Sequence, residues 1–141
     1  MPRILGIDFG SRRLGIAISD MTHLIATPLF AFECQKSLKE TAVKLKEKLA
    51  SYEPVQEIVM GLPLHLSGKE SETSAVVKKF AAVLEEVFSI PVIFFDERLT
   101  TLQVERMLKE GNLNRKKRAK LVDQLSAAMI LQTHLDSTAC R

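Results

Sequence analysis

An α/β protein with one mixed five-stranded sheet flanked by helices, elements in the order βββαβαβαα, is what the sequence predicts. Three observations predict it. The first 33 residues hold three strand-like runs separated by short turns, which makes an antiparallel start. Two later apolar runs, at 57–62 and 91–95, alternate with segments of helical periodicity, and strand–helix–strand crossovers build parallel pairs. The chain has 141 residues, 46% apolar and 26% charged, the balance of an ordinary soluble globular protein with a single core.

The elements follow in order. Residues 3–9 and 13–19 are runs of Ile, Leu, Phe and Ala, with Gly10-Ser11-Arg12 as the turn between them. Thr27 to Glu33 reads as a third strand completing a meander. Ser37-Leu-Lys-Glu40 matches a capping box, opening a helix with Leu38, Ala42, Leu45 and Leu49 on one stripe. Glu53-Pro54 ends it. Glu57 to Leu62 is a short buried strand stopped by Pro63, and LHLSGKESE is a polar loop. From Thr73 to Phe88, the positions Val76, Val77, Phe80, Ala81, Leu84, Val87 and Phe88 follow helical spacing. Pro91 to Phe95 is apolar on both faces, which predicts a covered, parallel strand. Thr100 to Glu110 is a helix stopped by Gly111. After a basic loop at 115–120, Leu121 to Leu135 forms a helix apolar on nearly every side. The tail, 137–141, is expected to fray, so residues 1–141 make one domain.

Composition excludes several classes. No run of about 18 apolar residues is present, so a membrane span is not expected. The chain opens directly into a strand pattern, without the basic and apolar regions of a signal peptide. Cys34 and Cys140 are far apart, in no metal-like spacing, and read as reduced thiols of a cytoplasmic protein. Net charge is +3, and five of the 20 Lys and Arg are Arg115, Lys116, Lys117, Arg118 and Lys120. The basicity is therefore local. Such a segment is either a solvated connection or a contact for phosphate.

Four places carry polar residues where burial alone would not ask for them: Asp8 within ILGIDFG, Gly61-Leu62-Pro63 with its loop, Asp96-Glu97-Arg98-Leu99-Thr100-Thr101, and Asp123 within LVDQLSAAMIL. Each acid also has a purely architectural explanation. Asp8 suits a turn, Glu97 suits a pairing with Arg98 or the next helix N-terminus, and Asp123 suits the first turn of its helix. Together they point elsewhere. Strand C-termini are where α/β sheets place their sites. Carboxylates converging there repel unless a cation holds them, and oxygen ligands without His or Cys suit Mg²⁺ or Mn²⁺. His23, His65 and His134 match no zinc spacing. Phosphate-loop, dinucleotide and nucleophile-elbow motifs are absent. With one Tyr and no Trp, contact with nucleic acid should run through phosphates and shape rather than stacked bases.

GIDFGSRRLGIAISD, GLP with its loop, DERLTT and KRAKLVDQLSAAMILQ, in that order, resemble the YqgF/RuvX-like family, from about residue 3 to 136. The resemblance implies a Holliday-junction-resolvase-like version of the RNase H fold, with strand order 3-2-1-4-5. It implies a cytoplasmic nuclease acting on the 5′ end of pre-16S ribosomal RNA, with resolvase-like cleavage of branched DNA as the competing activity. The acidic positions it carries over are Asp8, Glu97 and Asp123. Arg12-Arg13 stand where the family often has Lys-Arg, and His65-Leu66-Ser67-Gly68 where it often has Asn and Asp.

The expectation is a metal-dependent phosphodiesterase. Asp8, Glu97 and Asp123 would hold one or two Mg²⁺ or Mn²⁺ ions, Asp8 on the central strand bridging them. Arg12, Arg13, Arg98, Thr100, Thr101 and the 115–120 cations would contact the nucleic-acid backbone. Glu97 lies two strands from Asp8, about 10 Å at the spacing of a sheet. The expected assembly is a monomer or weak homodimer. The alternative is an RNA-binding module of this fold that does not cut.

Overall fold

The computed structural model describes residues 2–10, 12–62, 72–96 and 115–139. The elements are β1 (Arg3–Phe9), β2 (Arg13–Ser19), β3 (Ala26–Glu33), α1 (Leu38–Lys48), a 3-10 turn (Ala50–Tyr52), β4 (Val55–Leu62), α2 (Glu72–Phe88), β5 (Val92–Asp96) and α3 (Arg115–Ala139). They form one five-stranded sheet in the order β3-β2-β1-β4-β5. Antiparallel pairing joins β1 to β2 and β2 to β3, whereas β4 lies parallel to both β1 and β5. The mixed sheet and its strand order are as expected.

Alternation along the strands divides the core in two. Leu5 and Ile7 of β1, Leu14, Ile16 and Ile18 of β2, and Ile58 and Met60 of β4 face α1 and α2, meeting Ala42, Leu45, Val77, Phe80 and Leu84. Their neighbours Ile4, Ala17 and Val59 point to the other face, where Ala127, Ile130, Leu131 and Leu135 of α3 cover them. The α1 cap forms as read, the Ser37 hydroxyl accepting from the Glu40 N–H at 3.1 Å. At the far edge, Gln132 ties α3 to β3: its Oε1 accepts from Ala26 N–H (2.8 Å) and its Nε2 donates to Leu24 O (2.9 Å).

Four expectations are corrected. Residues 115–120 are not a loop but the first six residues of α3, because Arg, Lys and Ala are all good helix formers and no Gly or Pro interrupts them. Asp123 is consequently the ninth residue of that helix rather than part of its first turn. The macrodipole fades within one turn, so it does not explain an acid there. Strand β5 is parallel but an edge, and Phe94 is 39% exposed rather than covered. The far end of α3 includes 137–139 of the expected tail. The expected helix at 100–110 and loop at 63–70 lie outside the described residues. No helix among the described residues is long and apolar enough to cross a membrane.

Candidate functional site

Asp8 lies next to the end of the central strand, half-buried, within the ladder and opposite Gly15 of β2. Its side belongs to the α3 face, because Ile4 and Gly6 precede it at alternate positions and Gly6 pairs with Ala17 and Val59 of that layer. One further step in the β1–β4 register, after Ile7 beside Met60, brings Asp8 next to Gly61. The four in-sheet neighbours of Asp8 on this face are therefore all glycine: Gly6, Gly10, Gly15 and Gly61. None of these four positions carries a side chain of its own. At Gly6 the vacated space is taken by Leu131 and Ala127 of α3, and at Gly10 by Arg13 O.

Helix α3 is set close above this part of the sheet. A Cβ on Gly6 would lie 2.9 Å from Leu131 Cβ and 3.0 Å from Ala127 O. The helix runs opposite to β1 and β4, since His134 Nε2 meets Glu57 Oε1 near the strand start (3.1 Å) while Ala127 lies over Gly6. Position 123 is one helical turn before Ala127, and Asp8 is one same-face step beyond Gly6. Both steps are about 6–7 Å in the same direction. The backbone thus carries positions 8 and 123 toward the same end of the sheet.

Ser126 was not singled out from the sequence. It is fully buried, and its Oγ has no hydrogen-bond partner among the described residues. Counting back by helical turns from His134 beside Glu57, it falls at the level of Gly61, next to Asp8. An unpaired buried hydroxyl costs about 1–3 kcal/mol, which makes it a mark of this region. A serine in the apolar run QLSAAMIL, three residues after Asp123, was the available signal.

Glu97, Arg98, Thr100 and Thr101 lie outside the described residues; Glu97 directly follows Asp96, the last residue of β5 and partner of Leu62. Among the described residues, no three His, Cys, Asp or Glu side chains group as metal ligands. The three expected donors, Asp8, Glu97 and Asp123, are all carboxylates, and such a set would suit Mg²⁺ or Mn²⁺. The five cations at 115–120 begin α3, between about 4 and 12 Å along its axis before Asp123, on the side away from Ala127. Arg12 and Arg13 border the Asp8 end of the sheet at the β1–β2 turn, closed by Gly10 N–H donating to Arg13 O at 2.9 Å.

The family model described as RuvX, Holliday junction resolvase, matches residues 2–137. The chain belongs to this family. A protein of Protochlamydia amoebophila named "Putative pre-16S rRNA nuclease" is 47% identical over 140 residues, covering 96% of this chain and 93% of the relative. A relative of the same name from Caldanaerobacter subterraneus is 43% identical over 136 residues, covering 96% of each. Among solved structures, Thermus thermophilus RuvC in complex with Holliday junction substrate superposes with a TM-score of 0.56 at 16% identity, covering 99% of this chain and 96% of that one. Fowlpox virus resolvase with Holliday junction DNA gives 0.57 at 16% identity, covering 96% and 98%. At such identities the likeness is one of fold, and it agrees with an RNase H-like sheet.

Proposed function

We propose that this protein is a metal-dependent endonuclease that hydrolyses phosphodiester bonds of nucleic acid, acting in 5′-end processing of pre-16S rRNA in the cytoplasm. The observation that carries the reading is Asp8: a carboxylate on the central strand, ringed by glycines, toward which the α3 backbone carries position 123. Membership of a family described as a resolvase, and relatives named for pre-16S rRNA, supply the reaction class and the substrate.

Asp8, Glu97 and Asp123 would hold Mg²⁺ or Mn²⁺ through their oxygens. The metal, when bound, activates water and stabilises charge in an in-line displacement at phosphorus. The chain itself fixes the backbone of Asp8 through its pairing with Gly15 of β2, one residue beyond the end of the β1–β4 ladder. The 115–120 segment draws the polyanion to that end, and Arg98, Thr100 and Thr101 are assigned to phosphate contact after β5. Symmetric cleavage of a four-way junction, the second reading that the family description favours, would call for a two-fold dimer.

Asp8→Asn should lower Mg²⁺- or Mn²⁺-dependent cleavage of a pre-16S rRNA fragment roughly a hundredfold or more, with an unchanged circular dichroism spectrum. Running four-way DNA junctions in parallel separates the two substrate readings. Equal cleavage by the wild type and Asp8→Asn would overturn the site, and RNA binding with no cleavage by either would identify a binding module.

A further inference from the structure

The β1–β2 turn and the end of β3 enclose a cavity of about 450 Å³ lined by Arg12, Arg13, Glu33, Cys34 and Gln35. Its size is that of a small-ligand site. It opens at the same end of the sheet as Asp8. Arg13 precedes Gly15 by two residues on β2, which places it on the α3 face, diagonal to Asp8 at about 7–8 Å. Glu33 is opposite Arg13 in the β2–β3 register.

The walls are held by backbone and side-chain hydrogen bonds. Cys34 N–H donates to Arg12 O at 2.9 Å, and the Cys34 thiol lies 3.9 Å from Gly10 O. Gln35 N–H donates to the Thr41 hydroxyl of α1 at 2.9 Å, and Gln35 Nε2 donates to Glu33 O at 2.9 Å. The rim thus ties the β1–β2 turn, the end of β3 and α1 together. Among the lining residues two guanidinium groups stand beside one carboxylate, an excess of one positive charge. Guanidinium forks match phosphate oxygens, which favours an anionic ligand.

We propose that this cavity seats a backbone phosphate of the nucleic-acid strand, next to the phosphodiester held at Asp8, through Arg12 and Arg13. The inference rests on the nuclease reading for the identity of the strand. It makes the β1–β2 turn the element that sets the direction in which the strand leaves the sheet. The cavity also contains its own reporter. Cys34 is half-buried, and burial raises its thiol pKa, so alkylation is slow and any further cover slows it more.

The test uses the full-length protein carrying Asp8→Asn, an RNA stem-loop from the pre-16S 5′ region, and two readouts independent of cleavage. The first is affinity against salt. Arg12→Ala with Arg13→Ala should weaken binding about tenfold or more and make the slope of log K against log salt shallower by about one. The second needs no substitution in the cavity: saturating RNA should slow iodoacetamide labelling of Cys34 severalfold, followed by mass spectrometry with Cys140 as the internal reference. An unchanged salt slope in the double variant, or Cys34 labelling at the same rate with and without RNA, overturns the proposal. Cleavage by the wild type against Asp8→Asn decides the nuclease reading separately and changes neither readout.

Discussion

Gly6 shows how little tolerance the site has at the scale of one atom. With Leu131 Cβ and Ala127 O about to occupy the space of its missing side chain, any larger residue must push α3 away from β1. Gly6→Ala is expected to cost about 1–3 kcal/mol of stability, the usual penalty of overpacking, measurable as a lower urea midpoint at unchanged slope. Because the same contact sets the height of α3 over the end of β1, cleavage should fall by more than the loss of folded protein accounts for. A variant with wild-type midpoint and activity would show that the helix does not need this approach. Asp8 was readable as anomalous from the sequence, since an acid among Ile4, Leu5, Ile7 and Phe9 costs energy unless something answers it. Its glycine surroundings were not, because Gly15 and Gly61 become neighbours of Asp8 only through the strand registers.

At the scale of elements, the β2–β3 turn is held by one carboxylate. Asp20 Oδ1 accepts from Leu24 N–H (2.8 Å) and Ile25 N–H (3.0 Å), while the Thr22 hydroxyl donates to Oδ2. The Ile25 amide, followed by the Thr22 hydroxyl, lowers the Asp20 pKa from 3.8 to about 2. The folded state therefore binds this proton less readily than the unfolded chain. The turn's contribution to stability is fully present above pH 3.8 and is lost as pH falls through about 2. Asp20→Asn should remove this part of the acid dependence, seen as a smaller drop in melting temperature across that window. An identical acid profile in the variant would dissociate the carboxylate from the turn. Helix α1 was legible because its cap is local: Ser37 and Glu40 are three residues apart in sequence and in the structure. The start of α3 was not, because charge density at 115–120 reads as a loop while backbone preference favours a helix.

For the whole molecule, the parallel strands and α3 gather acid and base at one end. β1, β4 and β5 all run toward it, and α3 runs back from it, so Asp8, position 123 and the basic start of α3 share an end although more than 100 residues separate them in sequence. Lys117→Ala with Arg118→Ala should weaken RNA binding and make its salt dependence shallower by about two in log–log slope. The circular dichroism spectrum should not change, since Ala is the better helix former. An unchanged slope would remove this segment from the substrate path. Combining these substitutions with those at Arg12 and Arg13 should reduce the slope additively, because the two basic clusters contact different phosphates.

Local sequence specified every strand and the helices α1 and α2, the antiparallel start and parallel finish of the sheet, and the acids that stand out from an apolar background. These are local properties: period, capping, turn residues and the cost of an isolated charge are all written within a few positions. The registers and packing decided which residues surround Asp8, that Ser126 is buried without a partner among the described residues, and that Arg12 and Arg13 share a cavity with Cys34 and Gln35. Those facts depend on register and on the direction in which α3 crosses the sheet. Both are set by packing between segments far apart in the chain, where no local pattern reaches.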